Sequence, residues 1–209
     1  MPGPDRQFWQ DLFATGRTPW DRGATGPQLL GWLADGTLVP DEPPGAIAVP
    51  GCGNGHEVLA LAQRGFDVIG IDYAEAACDT TRDRLAAARL AGPRAEVVQA
   101  DVLEWQPPRP LAAVYEQTCL CALHPDHWVR YAQAVSRWLQ PGGRLFILAM
   151  QVERAGAADG LIEGPPYAVP INALRALFDN GQWAWPAPPY VRVPHPVAGY
   201  ELGLVLQRR

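Results

Sequence analysis

Apolar positions along the chain follow two rhythms that alternate from about residue 46 onward. Short apolar-rich runs at about 46–50, 67–71, 95–99, 111–115 and 144–150 predict strands. Between them, at about 55–64, 75–90 and 126–139, the apolar residues recur at helical spacing. Pro141-Gly142-Gly143 predicts the stop of the last of these helices. Strand and helix in strict turn are the mark of a parallel sheet covered on both faces.

The flanks break this rhythm. Near the start, Phe8, Trp9, Leu12 and Phe13 share one face of an amphipathic helix that Asp5 is placed to cap. Thr18-Pro19-Trp20-Asp21-Arg22-Gly23 reads as a loop, a second helix is expected around 28–34, and Pro40 to Gly45 closes the extension. After Met150 come a Gly- and Ala-rich loop, Gly164-Pro165-Pro166-Tyr167, a helix near 171–178, and strands near 190–194 and 200–207 that predict a closing hairpin. The expected fold is α/β: a doubly wound, mostly parallel sheet of seven strands with an antiparallel edge and an N-terminal helical cover. A chain of 209 residues suits one domain with a full core, divided as 1–44, 45–150 and 151–209.

Composition narrows the partners. The formal net charge is -5, every basic side chain is Arg, and the arginines form no run, so the electrostatic footprint expected of a nucleic-acid binder is missing. No apolar stretch approaches the roughly 18 residues that a membrane span needs, and the first residues lack the pattern of a signal peptide. A cytoplasmic protein is expected, a monomer or weak dimer with no nucleic acid and no membrane among its partners. Cys52, Cys78, Cys119 and Cys121 are expected as free thiols, and Cys119-x-Cys121 lacks the spacing of a zinc or redox site, so no metal is expected.

The candidate chemistry lies where the first two strands end. Ala46 to Pro50 runs into Gly51-x-Gly53-x-Gly55, a tight turn in which missing side chains let backbone N–H groups approach a ligand. The second apolar run ends in Asp72, close to the roughly 20-residue offset at which a carboxylate reaches both hydroxyls of a ribose. A dinucleotide site wants a third glycine at position 56, and His56 stands there, so a nicotinamide oxidoreductase is disfavoured. The spacing fits a class I methyltransferase with S-adenosylmethionine as cofactor. The other strand tips carry Tyr73, Asp101 with Val102, and Glu116 to Cys119. Asp101 can accept from an adenine amino group while Val102 and Tyr73 cover the ring, and helix capping is the alternative for Asp101.

Four stretches in order carry a resemblance. They are Phe8-Trp9 with Thr18 to Gly23, Val49 to Gly55, Tyr115 to Pro125, and Gly164 to Tyr167. With them the chain resembles the thiopurine S-methyltransferase family, including its bacterial members and the plant halide and thiol methyltransferases. The resemblance implies a Rossmann-like class I methyltransferase fold with 1–44 as a lid, 45–150 as the cofactor-binding core and 151–209 as substrate loop and hairpin. It implies S-adenosylmethionine as methyl donor and S-adenosylhomocysteine as product. Trp9, Trp20, Gly51, Cys52, Gly53, Gly55, Asp72, Tyr73, Asp101, Val102, Glu116 and Gln117 are the implied cofactor contacts. Phe8, Phe13, Thr118, Pro166 and Tyr167 are the implied acceptor contacts. Phe13 stands where the plant branch has a third Trp, and Gln117 where it has Tyr, which weakens a halide assignment and leaves thiols ahead.

The expected reaction is transfer of a methyl group to the sulfur of a small-molecule thiol, with selenium or tellurium analogues also implied and halide or thiocyanate as the alternative. An aliphatic thiol with a pKa of about 8.5 is mostly protonated at neutral pH and benefits from a base. Tyr167 and His124 are the candidate catalytic residues, with Asp126 and Glu163 as further helpers. His124 reads equally as the start of the helix that follows, and Tyr167 as packing. Two other readings remain: a non-catalytic cofactor-binding protein, and amino-group methylation of nucleic acid. The second is disfavoured because Gly164 stands where that chemistry needs a polar residue.

Overall fold

The structure is a computed structural model that describes residues 3–90, 95–196 and 199–209. The central sheet runs in the order β3 (Ala95–Gln99), β2 (Val68–Asp72), β1 (Ile47–Pro50), β4 (Leu111–Gln117), β5 (Leu139–Gln151) and β8 (Tyr200–Arg208). The first five of these strands are joined by parallel pairings, and β8 lies antiparallel to β5 from Arg144↔Gln207 to Gln151↔Tyr200. Along the far edge of β8 sit two short antiparallel strands, β6 (Trp183–Ala184) and β7 (Val191–Pro194). The doubly wound, mostly parallel architecture and the closing β7–β8 pair are as expected, although Val197 and Ala198 of its turn lie outside the described residues.

Among the described residues the sheet holds eight strands where seven were expected. The addition is β6, too short to show a period of its own and fixed by burial of Trp183 against Phe178. A second difference lies at β5, which begins at Leu139 because that residue already pairs with Leu111, with a register shift before Ala113. The helix before it therefore stops at Trp138, and Pro141-Gly142-Gly143 falls inside the irregular start of the strand.

Helices cover both faces. On one side lie α2 (Pro27–Ala34), α3 (His56–Ala62) and α4 (Glu75–Ala88), and on the other α5 (Cys119–Ala122), α6 (Trp128–Trp138) and α7 (Ile171–Leu177). Alternation along β4 divides the core between them. Tyr115 packs with Trp32, Leu29 and Phe146 on the α2 side, whereas Val114 packs with Val135, Trp138 and Ile147 on the α6 side. A strand buried on both faces needs apolar residues at every position, which is why β4 and β5 read as continuous runs. The remaining helix, α1 (Arg6–Ala14), is capped by the Asp5 carboxylate accepting from Phe8 N at 2.9 Å, and it buries none of its side chains. Parallel pairing brings the carboxyl ends of β1, β2, β3 and β4 to one edge, where open α/β sheets bind ligands.

Candidate cofactor and acceptor site

The turn after β1 is built from three left-handed glycines, with φ of 60° at Gly51, 52° at Gly53 and 76° at Gly55. Each meets something different. A Cβ on Gly51 would lie 3.1 Å from Cys119 Cβ, one on Gly53 would rest 3.4 Å from the Phe13 ring, and one on Gly55 would sit 2.5 Å from the Thr81 side chain. Gly55 thus lets α4 approach the turn, while Gly53 keeps the turn thin beneath Phe13. Two side chains of α4 fix the turn: Thr81 Oγ1 donates to Gly53 O at 2.8 Å, and Arg84 Nε donates to Asn54 O at 2.8 Å.

Asp72 closes the same turn from β2. Its Oδ2 accepts from Gly53 N and its Oδ1 from Ala74 N, both at 3.0 Å. Burial pushes the Asp72 carboxyl above its ordinary value, and the N–H groups of Ala74 and Gly53 oppose that rise. Each carboxylate oxygen keeps a further lone pair for a ligand hydroxyl. Beside it, Tyr73 and the exposed Asp101 line a hollow with Gln99 and Arg6. The Asp101 carboxylate already accepts from Leu103 N at 2.8 Å, so it serves as a turn cap as well. Val102, next in the chain, is buried in the core.

An aromatic cluster stands beside the turn; Phe13 and Trp20 line the cleft, and Phe8 and Trp9 pack outside it. Phe8 meets Trp9 at 5.1 Å, Trp9 meets Trp20 at 5.6 Å, and Phe13 meets Trp20 at 6.0 Å, all edge to face. Gln10 Oε1, accepting from Ala76 N at 3.2 Å, ties α1 to the start of α4. Between this cluster and the turn opens a cleft lined by Phe13, Trp20, Gly51, Gly53, Gln117 and Thr118. Thr118 holds a left-handed φ of 68° there, the conformation that lets α5 begin directly after β4.

Residues 4–186 match the family profile described as thiopurine S-methyltransferase. The chain belongs to the thiopurine S-methyltransferase family. It is therefore an S-adenosylmethionine-dependent methyltransferase. Among its relatives is a probable thiol methyltransferase 2 of Arabidopsis thaliana, 30% identical over 174 residues that cover 81% of this chain and 70% of the relative. A thiopurine S-methyltransferase of Legionella pneumophila is 24% identical over 185 residues, covering 83% and 80%. The fold is shared with the Burkholderia thailandensis 1,6-didemethyltoxoflavin-N1-methyltransferase, crystallised with 1,6-didemethyltoxoflavin and S-adenosylhomocysteine. The two superpose with a TM-score of 0.74 at 20% identity, over 97% of this chain and 86% of that one.

Not every expected residue of this methyltransferase reaches the cleft. Glu116 points to the α6 side of the sheet, where Oε1 accepts from Leu120 N at 2.7 Å, and burial lifts its carboxyl to about 7. Strand parity is the reason: Tyr115 and Gln117 face one side, so Glu116 must face the other. Cys52 lines the cleft but is almost wholly buried, and burial pushes its thiol well above the ordinary range. His124 and Tyr167 pack edge to face at 5.4 Å outside the cleft, with Gly3 against both. His124 Nδ1 accepts from Asp126 N at 3.3 Å as a cap for the tight turn Pro125–His127, and Tyr167 N donates to Cys121 O at 2.7 Å. Pro166 O accepts from Arg154, and Glu163 accepts from Gly156 N, so both stabilise the loop that leads to Tyr167.

Several polar residues that sequence reasoning passed over do line the cleft. Asp21 and Arg22 follow Trp20 in its loop, and His56 stands where a dinucleotide site carries its third glycine. Arg22 Nη2 donates to Pro194 O at 2.6 Å and lies 3.6 Å from Glu201 Oε2. Gln117 joins this group: Nε2 donates to Glu201 Oε2 at 3.1 Å and Oε1 accepts from the Tyr115 hydroxyl at 2.7 Å. Burial lifts the Glu201 carboxyl to about 7, opposed by Gln117 and Arg22. Arg22 therefore straps the loop of Trp20 to the far side of the sheet. No short-range pattern joins residues 22 and 201.

Proposed function

We propose that this methyltransferase transfers the methyl group of S-adenosylmethionine to the sulfur of a small-molecule thiol by in-line displacement. The observation that carries the acceptor class is the match to thiol and thiopurine methyltransferases together with a cleft walled by Phe13 and Trp20 beside the glycine turn, apolar surfaces that suit a small soft nucleophile. Asp72 is assigned to the ribose hydroxyls through its unused lone pairs. Tyr73, Asp101 and Val102 are assigned to the adenine, and Gly51, Cys52, Gly53 and Gly55 to the backbone cradle. Trp9 and Trp20 are assigned to the donor sulfonium, which an indole attracts by cation–π contact worth about 0.5–2 kcal/mol. Phe8, Phe13 and Thr118 then shape the acceptor side. His124, Tyr167 and Pro166 support it from behind α5.

The bound donor supplies a methyl carbon attached to a positively charged sulfur. Charge is reduced as the transition state forms, so the protein gains most by positioning. Holding the reactants about 3–3.5 Å apart and in line can supply roughly 7–11 kcal/mol. The Phe13 and Trp20 rings present apolar surface to the reacting atoms in place of part of the water there, which leaves a thiolate less solvated and more reactive. The cover 1–44, the cofactor core 45–150 and the segment 151–209 are read as parts of a single domain. The acidic balance and the four free cysteines support a cytoplasmic enzyme acting on metabolites, monomeric or weakly dimeric, without nucleic acid. Among the described residues no helix is long and apolar enough to cross a membrane.

The test is to mix the purified protein with S-adenosylmethionine and a panel of aliphatic thiols, aromatic thiols, sulfide, thiocyanate and iodide. Methylated thiol and S-adenosylhomocysteine should appear in equal amounts. Turnover only with thiocyanate or iodide, or methylation of added DNA or RNA, would overturn the thiol assignment.

A further inference from the structure

The thiol reading leaves one chemical need unmet, because neither His124 nor Tyr167 reaches the cleft. We propose that His56 is the general base that deprotonates the acceptor thiol, with Asp21 as its positioning residue. This inference rests on the thiol reading above. His56 Nε2 lies 3.1 Å from Asp21 Oδ1, and both residues line the cleft beside Trp20 and Gly53. The contact is an ion-pair distance, and because a carboxylate only accepts, a small turn of the ring that aligns Nε2–H with Asp21 puts the hydrogen on Nε2 and the basic lone pair on Nδ1. Among the described residues no protein group bonds to Nδ1, and it is not one of the buried atoms left without a partner, so solvent reaches it.

The carboxylate behind the imidazole is itself held in place. Asp21 accepts from Gly23 N at 2.7 Å and from the side-chain amide of Asn54, whose backbone carbonyl is in turn fixed by Arg84. Burial works against the charge on Asp21, but the Asn54 amide, the Gly23 N–H, His56 and Arg84 together hold its pKa below the ordinary value. The charged groups near His56 are Asp21 and Arg22 from the loop and Glu57 from its own helix, while Arg84 from α4 acts on Asp21. In the step, the acceptor S–H bond breaks and its proton passes to His56 Nδ1. The sulfur lone pair forms the new bond to the methyl carbon, and the electrons of the old carbon–sulfur bond return to the donor sulfur, which becomes neutral. The imidazolium, stabilised by Asp21, then releases its proton to solvent.

A base matters only for a thiol that is protonated at the working pH, so the acceptor's own acidity separates a base from a structural tie. His56→Gln should lower kcat/KM for an aliphatic thiol roughly 100-fold at neutral pH. For an acidic aromatic thiol, already ionised, the same variant should change it less than about threefold. Its remaining rate with the aliphatic thiol should climb with pH as the thiol ionises. Long-range proton–nitrogen NMR on the wild-type protein should find the hydrogen of neutral His56 on Nε2, and Asp21→Asn should abolish that preference. Equal losses for both thiols, no loss for either, or a hydrogen on Nδ1 would overturn the dyad and leave the methyltransferase reading standing. Failure of the wild-type protein to methylate any thiol would remove both. If His56→Gln does not fold, Asp21→Asn and the NMR measurement decide the matter.

Discussion

Replacing Gly55 with alanine separates the two tasks of the glycine turn. Gly55 has φ +76°, and a Cβ there would lie 2.5 Å from both Oγ1 and Cγ2 of Thr81. Holding a residue with a side chain in left-handed backbone costs about 1 kcal/mol. Overfilling the contact with α4 costs about 1–3 kcal/mol. Moving Thr81 aside breaks its 2.8 Å bond to Gly53 O, for roughly 1 kcal/mol more. The sum is roughly 3–5 kcal/mol, or about 10 °C in Tm for a chain of this size. Gly53→Ala differs in kind, since its Cβ would meet only the Phe13 ring at 3.4 Å and the strain of φ +52° is about 1 kcal/mol. That methyl intrudes beside the aromatic cluster, so it should weaken S-adenosylhomocysteine binding more than it lowers stability. Thermal and urea unfolding followed by circular dichroism, with calorimetry for the ligand, reads both effects. A Gly55→Ala protein melting within about 2 °C of wild type, or a Gly53→Ala protein less stable than Gly55→Ala, would refute this account of the turn.

Two further predictions use other parts of the site. Burial raises the Glu116 carboxyl from its ordinary 4.5 to about 7, so the folded protein holds that proton longer than the unfolded chain does. Stability should therefore fall as pH rises through this interval and stay lower above it. Glu116→Gln keeps a carbonyl for Leu120 N and should be up to about 3 kcal/mol more stable than wild type near pH 8, with little difference near pH 4. Urea unfolding at the two pH values checks this, and an equal difference at both would contradict it. Trp20→Ala should weaken S-adenosylmethionine roughly 3- to 30-fold, and S-adenosylhomocysteine clearly less, because only the former carries the sulfonium charge. Titration calorimetry with both ligands decides, and equal losses would mean that Trp20 only holds the aromatic cluster together.

Much of the fold was legible because buried parallel strands write themselves as apolar runs. The expected 46–50, 67–71 and 95–99 became Ile47–Pro50, Val68–Asp72 and Ala95–Gln99. The strand of Trp183 and Ala184 and the helix Cys119–Ala122 are shorter than any period that would reveal them. The early start of β5 depends on Leu139 finding Leu111, a pairing that no local pattern encodes. At the site, Gly51 to Gly55 and Asp72 could be read because turn chemistry and the strand-to-strand offset are near-neighbour properties. The inward turn of Glu116 followed from alternation along β4 and was within reach. Arg22 with Glu201, and Asp21 with His56, were not, since each pair meets only when the chain has folded.

The absence of any buried side chain on α1 sets the order in which this protein comes apart. The sheet must lose its whole interior to open, whereas the first helix gives up its two ring contacts to Trp20 and one amide hydrogen bond to α4. Its peptide groups should therefore exchange with heavy water long before those of β4 or β5, and slow markedly once donor is bound.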